Sequence, residues 1–221
     1  MEIDQHKDNI VRFSGKRHDM KFPAVSEVRA YWEALRNGRK VPLRAEIDPR
    51  GIERALEYSF ILERVAPQIA RFRLAGMHLS DLLGMEVRGM PLTTFFAPKA
   101  RIEVSDMLEG VFRTPQIAEV SLTAETGFGK PPMAAKLIVL PLQSDLGDIS
   151  RALGCLMADG LVGRAPRRFE ITEMTLTPID ADASETVSSR AHAPGFAEVQ
   201  RPYDAAPTVE RGHLRLVKTD N

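Results

Sequence analysis

The chain has 221 residues, 43% of them hydrophobic, with thirty basic and thirty acidic side chains and no net charge. That length is enough to bury a proper core, and the balanced charge excludes a broad electrostatic footprint for nucleic acid. The single cysteine, Cys155, excludes an internal disulfide and a cysteine-rich zinc site, and it fits a reducing compartment.

Residues 1–24 are polar, mixed in charge and unpatterned, so they are expected to be loosely held. They contain no apolar signal core, and no later stretch reaches the ~18 apolar residues of a membrane span. The expectation is a soluble, cytoplasmic protein with no membrane association. Val25, Val28, Trp32 and Leu35 alternate at steps of three and four, which predicts a helix with Ser26 as its cap and Asn37-Gly38 as its stop. Asp48-Pro49 opens a second, short helix that turns Ile52, Ala55 and Leu56 inward. Residues 58–65 and 68–75 read as strands joined at Ala66-Pro67. Phe60 and Leu62 alternate in the first; Ala70, Phe72 and Leu74 alternate in the second, opposite Arg71 and Arg73. That alternation fits an antiparallel sheet with one covered face.

Gly76 and Gly84 bound a short helix carrying Leu79, Leu82 and Leu83, and Gly89-Met90-Pro91 turns the chain again. Pro98 opens a longer helix with Val104, Met107, Leu108, Val111 and Phe112 as its apolar stripe. Ala118, Val120, Leu122 and Ala124 alternate in a third strand. A glycine-rich turn leads to strand 133–142, residues 151–158 make the last core strand, and residues 167–179 add an edge strand. The domain is bounded at 25–178. Residues 179–221 shift to Ala, Ser, Pro and mixed charge and are expected to be disordered, apart from an apolar island at 214–217.

Several short groupings occur in one order across residues 26–160. They are Tyr31-Trp32, Arg44, Asp48-Pro49, Arg73-Leu74-Ala75-Gly76, Leu83-Gly84, Arg88-Gly89, Leu140-Pro141-Leu142 and Leu153-Gly154. With the order strand, strand, short helices, long helix, three strands, they make the chain resemble a PAS domain. More narrowly, it resembles a bacterial single-domain PAS subgroup formerly classed as a domain of unknown function. The resemblance implies an α+β fold: a five-stranded antiparallel sheet in the order 2-1-5-4-3 with helices on one face, plus an N-terminal helix. It also implies a role in sensing or protein interaction, and the chain is read as a non-catalytic sensory or regulatory protein acting through protein–protein interaction. It does not supply a ligand, because a fold alone does not give function.

The space between sheet and helices is the candidate site for a small apolar or amphipathic ligand. Phe72, Leu74, Val120, Leu122, Leu137, Val139, Cys155 and Met157 are expected to line it, with Met85, Phe95 and Phe96 near its helical lid. The alternative is that these side chains fill the space themselves. Val25, Val28, Trp32 and Leu35 make a narrow apolar seam assigned to a homodimer or a signalling partner, with intramolecular packing as the alternative. A ligand-free dimeric adaptor is the competing functional class.

No cofactor is expected. Haem-binding PAS domains ligate iron through a histidine on or near the long helix; residues 98–113 hold none, and His78 sits on the preceding short helix. Flavin photosensors of this fold carry a reactive cysteine in an Asn-Cys-Arg motif. Cys155 lies instead in Leu153-Gly154-Cys155-Leu156 and reads as a small buried hydrophobe. Arg164 and Arg168 resemble the paired arginines of cyclic-dinucleotide-binding PilZ domains. That pattern then wants a glycine where Asp182-Ala183-Ser184 is followed by Val187, so a solvated basic loop accounts for them better. The five histidines are scattered and no Gly-x-Ser-x-Gly elbow occurs, so no catalytic or metal residue is assigned. Residues 213–218 are a candidate docking peptide able to add as a strand to a sheet edge, with a disordered end carrying chance hydrophobes as the favoured alternative.

Overall fold

The computed structural model describes residues 21–179. Helix α1 (Pro23–Arg36) begins before Ser26, the residue expected to cap it. Pro23 opens the helix instead, because its ring presets φ and its missing N–H would have had no helical partner there. Phe22 precedes it and is buried. Asn37 ends α1 in the left-handed conformation, at φ 43° and ψ 50°. Asp48 then caps the 3-10 segment Pro49–Tyr58, accepting from the Arg50 N–H at 3.0 Å.

Strands β1 (Ser59–Ala66) and β2 (Ile69–Ala75) form a hairpin. Helices α2 (Met77–Leu83) and α3 (Arg101–Arg113) follow. The chain then makes β3 (Gln116–Ala124), β4 (Ala134–Leu142), β5 (Arg151–Asp159) and β6 (Phe169–Pro178). The hairpin turn requires a positive φ after Pro67, and Gln68 adopts it at φ 63°. Acids of α3 hold this turn: Glu109 accepts from the Gln68 backbone N–H at 2.9 Å, and Asp106 accepts from its Nε2 at 2.8 Å.

The six strands pair antiparallel in the order β2-β1-β5-β4-β3-β6. The five expected strands stand in the expected order, and β6 extends the sheet beside β3. Helices α2 and α3 cover the inner face, where Phe60, Leu62, Phe72, Leu82, Phe95 and Leu108 are buried. Helix α1 and Pro49–Tyr58 cover the outer face over Ile61, Ile138, Leu140 and Leu153. Strands β4 and β5 are therefore covered on both sides, which is why they read as almost continuous apolar runs.

A β-bulge breaks the alternation of β2. Ile61 pairs with Leu74, but the next residue, Leu62, pairs with Phe72, so Arg73 is extra. One extra residue reverses the phase of the side chains. Phe72 thus faces α2 and α3, while Leu74 points to the outer face beside Ile61.

Candidate functional site

The inner face brings together Phe72, Phe95, Phe96, Val120, Leu122, Leu137 and Val139, all buried. None of these seven side chains is more than 3% exposed. The Phe72 ring meets Phe60 edge-on at 5.2 Å and Phe95 at 5.6 Å. Phe60 lies across Gly154 so closely that a Cβ there would overlap the ring and sit 2.9 Å from the Ile138 carbonyl oxygen.

The remaining residues expected in this lining lie elsewhere. Leu74 is carried to the outer face by the bulge and is 54% exposed. Cys155 and Met157 also pack on the outer face, because β5 sends Ala152, Leu156 and Ala158 inward. Met85 follows the end of α2 and is 53% exposed.

The apolar seam of α1 is closed by the chain's own sheet. Val25, Val28 and Trp32 are buried, and the Trp32 indole N–H donates to the Pro141 carbonyl at 2.9 Å. Those three side chains therefore present no surface to a second chain; Leu35 alone of the seam keeps partial exposure.

The outer face carries a recess of about 260 Å³. Ile47, Pro49, Ile52 and Leu56 roof it, and Ile61, Leu74 and Leu153 form much of its floor. Of its lining residues, Arg44 is the one that carries charge. Arg44 is half-buried and its backbone N–H is fixed by Gln143 O at 2.8 Å. Among the described residues, its guanidinium has no ion pair or hydrogen bond. The Ser59 hydroxyl, also on the wall, is already committed to Ala55 O at 2.7 Å. The roof is fastened to α1: the Tyr31 hydroxyl accepts from the Asp48 N–H at 2.7 Å and donates to the Asp48 carbonyl at 3.1 Å. Gly51 lies beneath the same tyrosine ring, where any Cβ would overlap it.

Two polar side chains have structural posts. His78 Nε2 accepts from the Ala158 N–H at 3.3 Å. Pairing of β1 with β5 ends at Ser59–Cys155, so the imidazole stands in for the missing strand. Tyr58 packs edge-on against it at 4.8 Å. Burial lowers the His78 pKa, with Glu57 and Asp81 opposing. Arg167 is fully buried, though sequence reasoning had singled out its neighbours Arg164 and Arg168. It donates to the carbonyls of Val162 and Pro131, both at 2.6 Å, and of Glu125 at 3.4 Å. It thereby pins the loop before β6 to the β3–β4 connection, and desolvation lowers its pKa. No periodicity marks such a residue, because its partners are all backbone carbonyls. Arg164 is exposed and Arg168 half-buried. Asp182-Ala183-Ser184 and the segment 213–218 lie outside the described residues, as do residues 1–20 and 180–221 of the two expected loose termini. Ile179, assigned to the tail, is buried and its N–H donates to Pro115 O at 3.1 Å.

Among the described residues, no helix is long and apolar enough to cross a membrane. No curated protein matches the chain. It is similar to the light state of the LOV domain of the blue-light photoreceptor Aureochrome1, at 13% identity and a TM-score of 0.35, over 50% of this chain and 88% of that one. It is similar to a light-oxygen-voltage domain described with a flavin analogue, at 19% identity and a TM-score of 0.36, over 50% and 83%. An RNA-binding light-oxygen-voltage receptor is similar at 13% identity and a TM-score of 0.37, over 64% and 52%. Residues 20–157, more than half of the chain, match the family described as PAS domain. With that match spanning α1 to β5 and the sheet in the order it implies, the chain belongs to the PAS domain family.

Proposed function

We propose that the chain is a non-catalytic regulatory PAS module that acts by binding a signalling protein, and that its input is not taken into the space between the sheet and α2 and α3. The family supports a sensory or regulatory role. The observation that carries the finer reading is the interlocked set of Phe60, Phe72 and Phe95 over Gly154. A ligand entering there must displace fully buried rings, and such interiors are packed like organic crystals.

The residues present do not fit flavin photochemistry. Cys155 faces away from the inner core, and burial pushes its thiol far up, against formation of a reactive thiolate. His78 does not fit a haem ligand, because its Nε2 is engaged by the Ala158 amide. Several charged groups serve as ties between elements: Arg64 joins Glu109 at 2.7 Å, Glu63 joins Arg73 and Arg151, and Glu119 joins Arg29 and Lys136. Such ties are structural work. A homodimer belongs to this reading on surfaces other than the buried α1 seam.

Crosslinking in the cells that make the protein, followed by mass spectrometry, tests the interaction. The expected result is a recurring protein partner or a second copy joined to surface lysines such as Lys99 and Lys130. No recurring partner would overturn the interaction reading. A stoichiometric small molecule contacting Val120 or Leu137 would overturn the placement of the input.

A further inference from the structure

We propose that the outer-face recess binds the end of an amphipathic carboxylate, its apolar chain under Ile52 and Leu56 and its anionic group on Arg44. This rests on the reading that the input lies outside the inner core. The recess has the two parts such a molecule needs. Its floor and roof are aliphatic, and its volume of about 260 Å³ equals roughly nine water-sized groups at ~30 Å³ each, enough for a chain of about eight carbons. Its one charged lining residue is a half-buried arginine with no partner among the described residues. Arginine holds carboxylates through a planar fork of donors, and such charge-assisted bonds are among the stronger ones available. No acid lines the recess to compete for it.

The site is also placed to report occupancy. Its roof is the segment that begins at Asp48, and Tyr31 of α1 grips that residue through both backbone groups. Gly51, three residues after Asp48, sits directly beneath the Tyr31 ring. A chain seated between the roof and Leu74 therefore bears on the contact that positions α1.

Methyl NMR on isoleucine-, leucine- and valine-labelled full-length protein, titrated with octanoate below its micelle-forming concentration, tests this. Octanol and an octyl ammonium salt serve as neutral and cationic comparisons. Saturable shifts are expected at Ile47, Ile61, Leu74 and Leu153. Arg44→Gln is expected to weaken octanoate about tenfold, as loss of a charge-assisted hydrogen bond does, and to leave octanol unchanged. Leu74→Glu, at an exposed position that tolerates charge, is expected to abolish octanoate binding. An unchanged octanoate affinity in Arg44→Gln, or tighter binding of the ammonium, overturns the assignment to a carboxylate. No saturable shift at any methyl overturns the recess alone. Shifts confined to Val120, Leu122, Leu137 and Val139 overturn both the recess and the reading of an occupied inner core.

Discussion

Replacing Phe72 by alanine separates an occupied inner core from an open ligand chamber. The side chain is fully buried and meets two other rings at 5.2 and 5.6 Å. Returning a buried phenylalanine to water loses about 1.5–3 kcal/mol of transfer free energy. In an occupied core the substitution also leaves a void, at ~24 cal/mol per Å³, so a residual space of roughly 60 Å³ adds about 1.5 kcal/mol. The expected loss is thus about 3–4.5 kcal/mol, within the usual range for such changes. If the ring bordered a ready-made chamber, the void term would largely vanish and the loss would stay near the transfer value. Urea unfolding followed by Trp32 fluorescence measures this, since Trp32 is the single tryptophan and lies on the opposite face of the sheet. A loss below about 3 kcal/mol with an unchanged m-value would instead mark a chamber already open beside Phe72.

Other expectations follow from individual contacts. Gly154→Ala is expected to cost about 1–3 kcal/mol by overpacking against Phe60, and Phe60→Leu in the same chain should recover part of it in a double-mutant cycle; additive effects would sever the two residues. His78 has its pKa lowered in the folded chain, so the unfolded chain binds the proton first. Stability is then intact above the unfolded value of about 6.5 and falls as pH drops from there toward the folded pKa. Melting temperatures between pH 7.5 and 5.5 should show this decline, and His78→Gln should flatten it; identical profiles would remove His78 from the account. Cys155 is buried, with its thiol pushed up, so iodoacetamide at pH 8 should leave it unmodified until urea unfolds the chain. Rapid labelling of the native protein would contradict its place on the covered outer face.

Amphipathic elements declared themselves in the sequence. The stripe Val104, Met107, Leu108, Val111 and Phe112 is the buried face of α3, and alternation in β3 buries Ala118, Val120, Leu122 and Ala124. Asp48-Pro49 marked a helix start for a reason that holds locally, a side-chain acceptor beside a preset φ. Phase was the illegible quantity. In β5 both faces are covered, so apolar residues follow one another and nothing tells Cys155 from Leu156. In β2 the alternation was real, but a bulge fixed by pairing with β1 turned Leu74 over. These two features account for Leu74, Cys155 and Met157 standing on the outer face, while Met85 lies in the loop after α2. The α1 seam was read correctly as apolar, while its covering came from β4 and β5, far along the chain and invisible to periodicity. The recess was missed for a similar reason: Arg44, Ile52, Leu74 and Leu153 meet only through the sheet order and the bulge.

High-resolution electron density between the sheet and helices α2 and α3, in crystals of protein taken from the cells that make it, bears most directly on where this module takes its input. Density accounted for there by Phe60, Phe72, Phe95, Leu137 and Val139 alone is the predicted result. Separate density enclosed by those side chains, for a molecule that is not part of the chain, would contradict it.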